Sequence, residues 1–303
     1  MNEKFKSGFV AIIGRPNVGK STFLNQILKQ KVSIISPKPQ TTRNQVRGIY
    51  TTETEQIIFI DTPGIHKPKH QLGEFMNKEA LATLKDVDLI LWIIDATMDF
   101  GTGDEFVIKQ LKDLKTPIIL VVNKIDLVKN KQKLFENILQ FTESFKNFSE
   151  VYYISALTGE NTEKLLTAIK NYLDYGPMYY PTDQVSDYPE KFIIAELIRE
   201  KVLLLTRDEV PHSIAVIVDE MTPDSENPNL MNIRAIIFVE RQSQKKIIIG
   251  SKGEMIKKIG TEARKEIVML LGQKVFLELW VKVEPDWRNK QAQLRRLGYD
   301  LVK

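Results

Sequence analysis

Eight residues, GRPNVGKS at 14–21, have the types and spacing to cradle a polyphosphate. Gly14 and Gly19 let backbone amides turn inward, Lys20 can reach the β and γ phosphates, and Ser21 offers a hydroxyl to Mg²⁺. Arg15, Pro16, Asn17 and Val18 complete the turn, and Thr22 continues into a helix whose positive end, near Lys20, adds to the anion site. An apolar strand at 9–13 leads into the loop, which is the context such a loop requires.

Three further clusters follow, each at the end of an apolar run. In DTPG, Asp61 can hold the Mg²⁺ shell and the Gly64 amide can reach the γ phosphate, while Thr62 and Pro63 shape the turn. In NKID, formed by Asn123, Lys124, Ile125 and Asp126, the Asp126 carboxylate can accept from N1–H and the 2-amino group of guanine. Adenine offers neither donor, and a buried acceptor left unpaired is heavily penalised. In SAL, formed by Ser155, Ala156 and Leu157, backbone amides can meet the guanine oxygen.

A fifth cluster lies far downstream. In KKIIIGSKGEMIKKIG, the turn of Gly250, Ser251, Lys252 and Gly253 lets the backbone approach a sugar–phosphate chain, and Lys252, Lys257 and Lys258 supply phosphate contacts. Ile247, Ile248, Ile249 and Ile256 can line a groove for unstacked bases.

These residues need a scaffold, and the patterning describes one. Short Val- and Ile-rich runs at 9–13, 57–60, 89–94, 118–122 and 151–154 read as strands buried on both faces, and helical spacing fills 72–84, 105–114, 134–145 and 163–173. Strand and helix in alternation imply an α/β unit, a mostly parallel sheet with helices on both faces, whose ligands bind at the carboxyl ends of the strands. The apolar half of MNEKFKSGFVAIIG resembles a signal peptide but runs into the glycine loop, so it reads as the first strand. YGPMYYPTDQVSDYP at 175–189 carries three prolines and reads as a linker. Beyond it come a helix at 190–205, strands at 213–221 and 232–241, the glycine turn, a helix at 254–271 and a strand at 274–283. The expected division is 1–175, linker 176–189, a smaller α+β module at 190–285, and a basic tail at 286–303. In the tail, Trp287, Arg288, Lys290, Arg295, Arg296 and Tyr299 either extend a basic surface or pack as a terminal helix.

Composition narrows the function classes. Lys and Arg number 43 against 39 for Asp and Glu, a net +4 that excludes a uniformly basic coat protein or an acidic disordered tail. Charge is unevenly placed: residues 181–240 hold 5 basic and 12 acidic side chains, and residues 241–303 hold 15 and 7, so the glycine turn sits in a segment suited to polyanions. With no cysteine, disulfides, thiol nucleophiles and thiolate metal sites are excluded, which favours the cytoplasm. No apolar run approaches the roughly 18 residues needed to span a bilayer.

The four nucleotide clusters together resemble translation-factor-class GTPases over about the first 175 residues. That resemblance implies a P-loop GTPase fold and makes Gln40, Thr41, Thr42 and Arg43 a first switch, with Thr42 joining Ser21 and Asp61 at Mg²⁺. It makes DTPG with Ile65 the second switch. Ile65 stands where small signalling GTPases carry a water-orienting glutamine, so intrinsic hydrolysis is expected to be slow and to need a partner, an ordered water network or a monovalent cation. Asn17 matches the asparagine that binds K⁺ in some relatives. The order helix, strand, strand, helix, glycine turn, helix, strand resembles a K homology domain of the second type, which clamps about four single-stranded nucleotides.

Both modules in one chain, with GRPNVGKST, PQTTR, DTPGIHKP, NKID, ISA and IIIGSKG, resemble the Era family. The resemblance implies a monomeric cytoplasmic GTPase, partly at the inner face of the membrane. It further implies binding of the 3′ end of small-subunit ribosomal RNA and help in 30S maturation. GTP is expected to order both switches, with the linker passing that order to the RNA module. Three other readings stand beside this one: a hydrolase whose second domain binds a protein, a constitutive RNA binder with a vestigial GTPase, and a tRNA-modifying GTPase. The last uses a carboxyl-terminal cysteine that this chain lacks.

Overall fold

The computed structural model describes residues 5–299. Residues 1–4, at the start of the expected GTPase unit, and 300–303, at the end of the expected tail, lie outside the described residues.

The first unit runs β1 (Lys6–Ile13), α1 (Lys20–Leu28), β2 (Val46–Thr51), β3 (Glu55–Asp61), α2 (Gln71–Thr83), β4 (Leu89–Asp95), α3 (Thr102–Leu111), β5 (Ile118–Asn123), α4 (Lys131–Ser144), β6 (Glu150–Tyr153) and α5 (Thr162–Lys170). Its six strands lie in the order β2-β3-β1-β4-β5-β6, all parallel except β2. Successive residues of a strand point to opposite faces, so β1 feeds two cores. Val10 and Ile12 join Phe23 and Leu24 of α1 and Leu165 and Ile169 of α5, while Ala11 and Ile13 join Trp92, Val107, Leu111 and Phe141 on the other side. Strand β2 is absent from the pattern-based expectation. VRGIYT is too mixed to announce a strand, and its pairing with β3 makes it one.

The second unit runs α6 (Glu190–Leu205), β7 (Ala215–Pro223), β8 (Leu230–Val239), α7 (Gln242–Ile249), α8 (Glu254–Leu271) and β9 (Lys274–Val283). Its sheet is β7-β8-β9, antiparallel then parallel, and the three helices cover one face. After β9 comes α9 (Gln291–Arg296).

Packing gives two further segments a definite place. The proline-rich stretch is bound against β2 and β3. Ile49 N–H donates to Val185 O at 2.9 Å, the Gln56 side chain accepts from the Tyr179 and Tyr180 amides at 2.8 and 2.9 Å, and Arg47 pairs with Asp187 at 2.9 Å. The tail does not present all its aromatic and basic residues to solvent. Trp287, Leu294, Leu297 and Tyr299 form a core with Ala215, Ile236 and Phe238 on the open face of the second sheet and with Leu72, Phe75 and Met76 of α2. The tail thus fills the space between the two units, and α2, which follows the second switch, is one wall of it.

Candidate functional site

Each nucleotide cluster sits where a strand of the large sheet ends. Gly14 has φ 149°, and a Cβ there would lie 2.2 Å from Ile93 O; Gly19 has φ 99°, and its Cβ would lie 2.2 Å from Asn123 Nδ2. No other residue fits either position. The loop they form opens on a cleft of about 340 Å³ lined by Lys20, Ser21, Thr42 and Gly64 among others. Lys20 is buried, its Nζ donating to Arg15 O at 2.9 Å and Gly14 O at 3.3 Å. Burial pushes its pKa down to about 8, against the pull of Asp61. Phosphate oxygens would supply the missing counter-charge. Arg15 does not serve the cleft: its guanidinium pairs with Asp104 at the start of α3, 2.9 Å away. Val18 is a core residue, and Asn17, at φ 66°, donates from Nδ2 to Pro37 O at 2.9 Å.

Three hydroxyls gather around Asp61. Ser21 Oγ donates to Asp61 Oδ2 at 2.7 Å and lies 3.0 Å from Thr42 Oγ1, and Ser33 Oγ donates to the same Oδ2 at 3.0 Å. Asp61 is fully buried and its Oδ1 has no partner. Burial raises its pKa, opposed by Lys20 and by the hydrogen bonds from Ser21, Ser33 and Thr42. An unpartnered carboxylate oxygen beside two hydroxyls suits a hard divalent cation such as Mg²⁺. Motif reasoning misses Ser33, because a serine in the SIIS stretch carries no such signal.

The segment expected as the second switch, Asp61 to Ile65, runs on through Gly64 and Ile65 into His66. A Cβ on Gly64 would lie 2.7 Å from Pro16 N, so only glycine brings this backbone against the phosphate loop. Ile65 N–H donates to Gly14 O at 3.1 Å, and its side chain is buried with Ala11, Ile13, Ala80 and Trp92, facing the core. His66 Nδ1 lies 2.8 Å from Gly64 O and Nε2 lies 2.9 Å from Gln40 Nε2. A proton on Nδ1 satisfies both contacts, and the ring then ties the two switches together. In the first switch Gln40 has φ 62°, Thr41 Oγ1 donates to Lys38 O at 2.6 Å, and Thr42 faces Ser21. Arg43 turns the other way. It is buried in the second unit, donating to Ile214 O at 2.5 Å and Tyr299 Oη at 3.3 Å, with Trp287 and Tyr299 rings within 6 Å (5.7 and 5.9 Å). Contact between this segment and the second unit is therefore direct, beside the path through the linker.

At the base-binding end, Asn123 braces two loops: Nδ2 donates to Val18 O and Oδ1 accepts from Ala156 N–H, both at 2.8 Å. Lys124 spans to Asn17 O at 2.8 Å and Asp95 at 2.6 Å. Ile125 and Asp126 lie in a short 3-10 turn with the Asp126 carboxylate exposed. Ser155 is buried and Leu157 largely exposed. The Ala156 amide is occupied by Asn123, so of the three SAL residues it is not free to meet a base.

The downstream glycine turn joins α7 to α8. Gly250 has φ 74°, and a Cβ there would lie 2.7 Å from Met255 Cβ; Lys252 and Gly253 also have positive φ, 49° and 79°. Ser251, Lys252, Lys257 and Lys258 are exposed, and Ile249 is half-buried beside them. Ile248, expected in the groove, is wholly buried in the core, because α7 turns it toward α8 and the sheet.

Comparison with known proteins agrees with this layout. A family described as 50S ribosome-binding GTPase matches residues 9–124, and a KH domain family matches residues 209–288. The chain is similar to the crystal structure of Era in complex with MgGDPNP and nucleotides 1506–1542 of 16S ribosomal RNA, with 45% identity and a TM-score of 0.94, covering 98% of this chain and 100% of that one. It is equally similar, by identity, coverage and TM-score, to a variant of Aquifex aeolicus Era bound to GDP·AlF4⁻. With a P-loop GTPase unit and a KH module matched end to end at this identity, the chain belongs to the Era family of GTPases.

Proposed function

We propose that this protein is a Mg²⁺-dependent GTPase switch that binds the 3′ end of small-subunit ribosomal RNA and assists 30S subunit assembly. The GTPase part is carried by one observation: Ser21, Thr42 and Asp61 converge beside the buried Lys20 with Asp61 Oδ1 unpartnered. Mg²⁺ held there would offset charge on the β and γ phosphates. Gly14 to Thr22 would enclose the phosphates, the Gly64 amide would meet the γ phosphate, and Asp126 would select guanine. Ile65 orients no water, so hydrolysis by the chain alone is slow. Asn17 has a side-chain oxygen to offer K⁺, and equal rates in Na⁺ and K⁺ would remove that role.

The RNA part rests on the exposed turn of Gly250, Ser251, Lys252 and Gly253, with Ile249 behind it and Lys257 and Lys258 on the next helix. The working units are 1–175, 176–189, 190–285 and the tail 286–303, whose described residues 286–299 act as packing between the two modules. A ligand shifts such an arrangement only by its differential affinity for the two states, so GTP must favour the form in which the turn is open to RNA. The cytoplasmic and peripheral-membrane location is carried by the family resemblance; among the described residues no helix is long and apolar enough to cross a membrane.

The test is a fluorescence-anisotropy titration of labelled RNA matching the 3′ end of small-subunit ribosomal RNA, with GDP and with a non-hydrolysable GTP analogue. Tighter binding with the analogue is expected. Equal binding would reject the switch, and no binding in either state would reject the RNA assignment.

A further inference from the structure

Two consecutive residues of α6 hold both ends of the segment 31–41, which leads into the first switch. Glu200 Oε1 accepts from Ile35 N–H at 2.9 Å and its Oε2 accepts from Lys31 Nζ at 2.6 Å, at the start of the segment. At its end, Arg199 Nη2 donates to Thr41 O, with the guanidinium held by Glu196 at 2.7 and 2.5 Å. Both side chains are buried, and both belong to the module that carries the glycine turn.

The grip on Thr41 has a consequence one atom further on. A trans peptide is planar, with its C=O and N–H pointing to opposite sides. Fixing Thr41 O against Arg199 therefore turns Thr42 N–H away from α6, on the residue whose hydroxyl already lies 3.0 Å from Ser21 Oγ. Stability alone does not explain this arrangement. Arg199 is buried with its Nη1 unpartnered, and buried ion pairs commonly contribute less to stability than apolar residues of similar volume. The network also reaches the helix that begins at the glycine turn: Glu266 of α8 accepts from Lys31 at 2.7 Å and from Lys201.

We infer that Arg199 and Glu200 are positioning residues for the GTP-bound site: through Thr41 and Ile35 they set the first switch so that Thr42 can engage Mg²⁺ and the γ phosphate. The inference rests on the GTPase reading above and adds the RNA-binding module as part of the nucleotide site. By linkage, whatever RNA does to α8 and Glu266 is returned to the switch as a change in GTP affinity of equal factor.

The experiment compares the full chain with Arg199→Met, Arg199→Lys and Lys31→Met, measuring affinity for GDP and for a non-hydrolysable GTP analogue with Mg²⁺, beside thermal melting. Arg199→Met is expected to leave GDP affinity within about threefold and to weaken the analogue about 10- to 100-fold, the loss of one charge-assisted hydrogen bond. Arg199→Lys keeps a donor and should recover part of the difference. Lys31→Met alters a side chain that is one-third exposed, and should reduce the RNA-induced change in analogue affinity even if Arg199→Met fails to fold. An unchanged analogue-to-GDP ratio in folded Arg199→Met, or unchanged RNA coupling in Lys31→Met, overturns the inference. So does a parallel fall in both nucleotide affinities with melting temperature. Failure of the unaltered chain to bind either nucleotide would instead overturn the GTPase reading itself.

Discussion

Installing a glutamine at position 65 should not create a faster GTPase, although the position follows Gly64 where a water-orienting glutamine would stand. Ile65 is wholly buried with Ala11, Ile13, Ala80 and Trp92, and its amide is tied to Gly14 O at 3.1 Å. Replacing it by glutamine forfeits about 1.5–3 kcal/mol of apolar burial. An amide left unpaired in that environment adds roughly 1–3 kcal/mol on the scale of protein substitutions. The sum is about 2.5–6 kcal/mol of lost stability; the alternative, swinging the side chain out to the cleft, breaks the backbone tie to the phosphate loop. Urea denaturation followed by fluorescence reads the first number well, since Trp92 is the one tryptophan in the first 175 residues and lies in the same cluster. Single-turnover hydrolysis in saturating Mg²⁺ reads the second. Ile65→Val, which keeps the apolar contact, should cost only about 0.5–1.5 kcal/mol and leave the rate unchanged. An Ile65→Gln protein of native stability that hydrolyses GTP tenfold faster or more would refute the assignment of this side chain to the core.

Lys20 supplies a pH prediction. Its pKa in the nucleotide-free fold is near 8 and its ordinary value 10.5, so the unfolded chain binds more protons between those values. The stability penalty of the buried ammonium is present in full below about 8 and is relieved as pH rises toward 10.5. Phosphates restore the proton, so calorimetric titration with Mg·GDP at pH 9 in two buffers of different ionisation heat should show uptake of close to one proton. Little uptake is expected at pH 7, and none at either pH in Lys20→Met; equal heats in both buffers at pH 9 would contradict the burial argument. In the downstream turn, Gly250→Ala forces a Cβ to within 2.7 Å of Met255 and should melt earlier than Gly253→Ala, where no atom lies within 4 Å and only the positive φ is strained. Lys252→Ala at the same turn should leave melting unchanged and lower the slope of log affinity against log salt by about 1 for RNA, and an unchanged slope would take Lys252 off the phosphate path.

What the sequence alone determined was local. The phosphate loop, DTPG, NKID and the glycine turn work through backbone conformations that a few residues dictate wherever they occur, so Gly14, Gly19, Asp61 and Asn123 are legible from residue type and spacing. Helices α6 and α8 and strand β9 are legible for the same reason, their periodicity being continuous and bounded by clear breakers. The tertiary structure decided everything that depends on partners distant in the chain. VRGIYT becomes a strand only by pairing with β3, and Ile65 turns inward because a pocket of β1, α2 and β4 residues receives it. Ser33 joins Asp61 across 28 positions, Trp287 and Tyr299 meet α2 across the open face of the second sheet, and Arg199 meets Thr41 across 158. Spacing within a segment carries no information about such meetings, because they are fixed by how distant segments pack and not by the conformational preferences of either stretch.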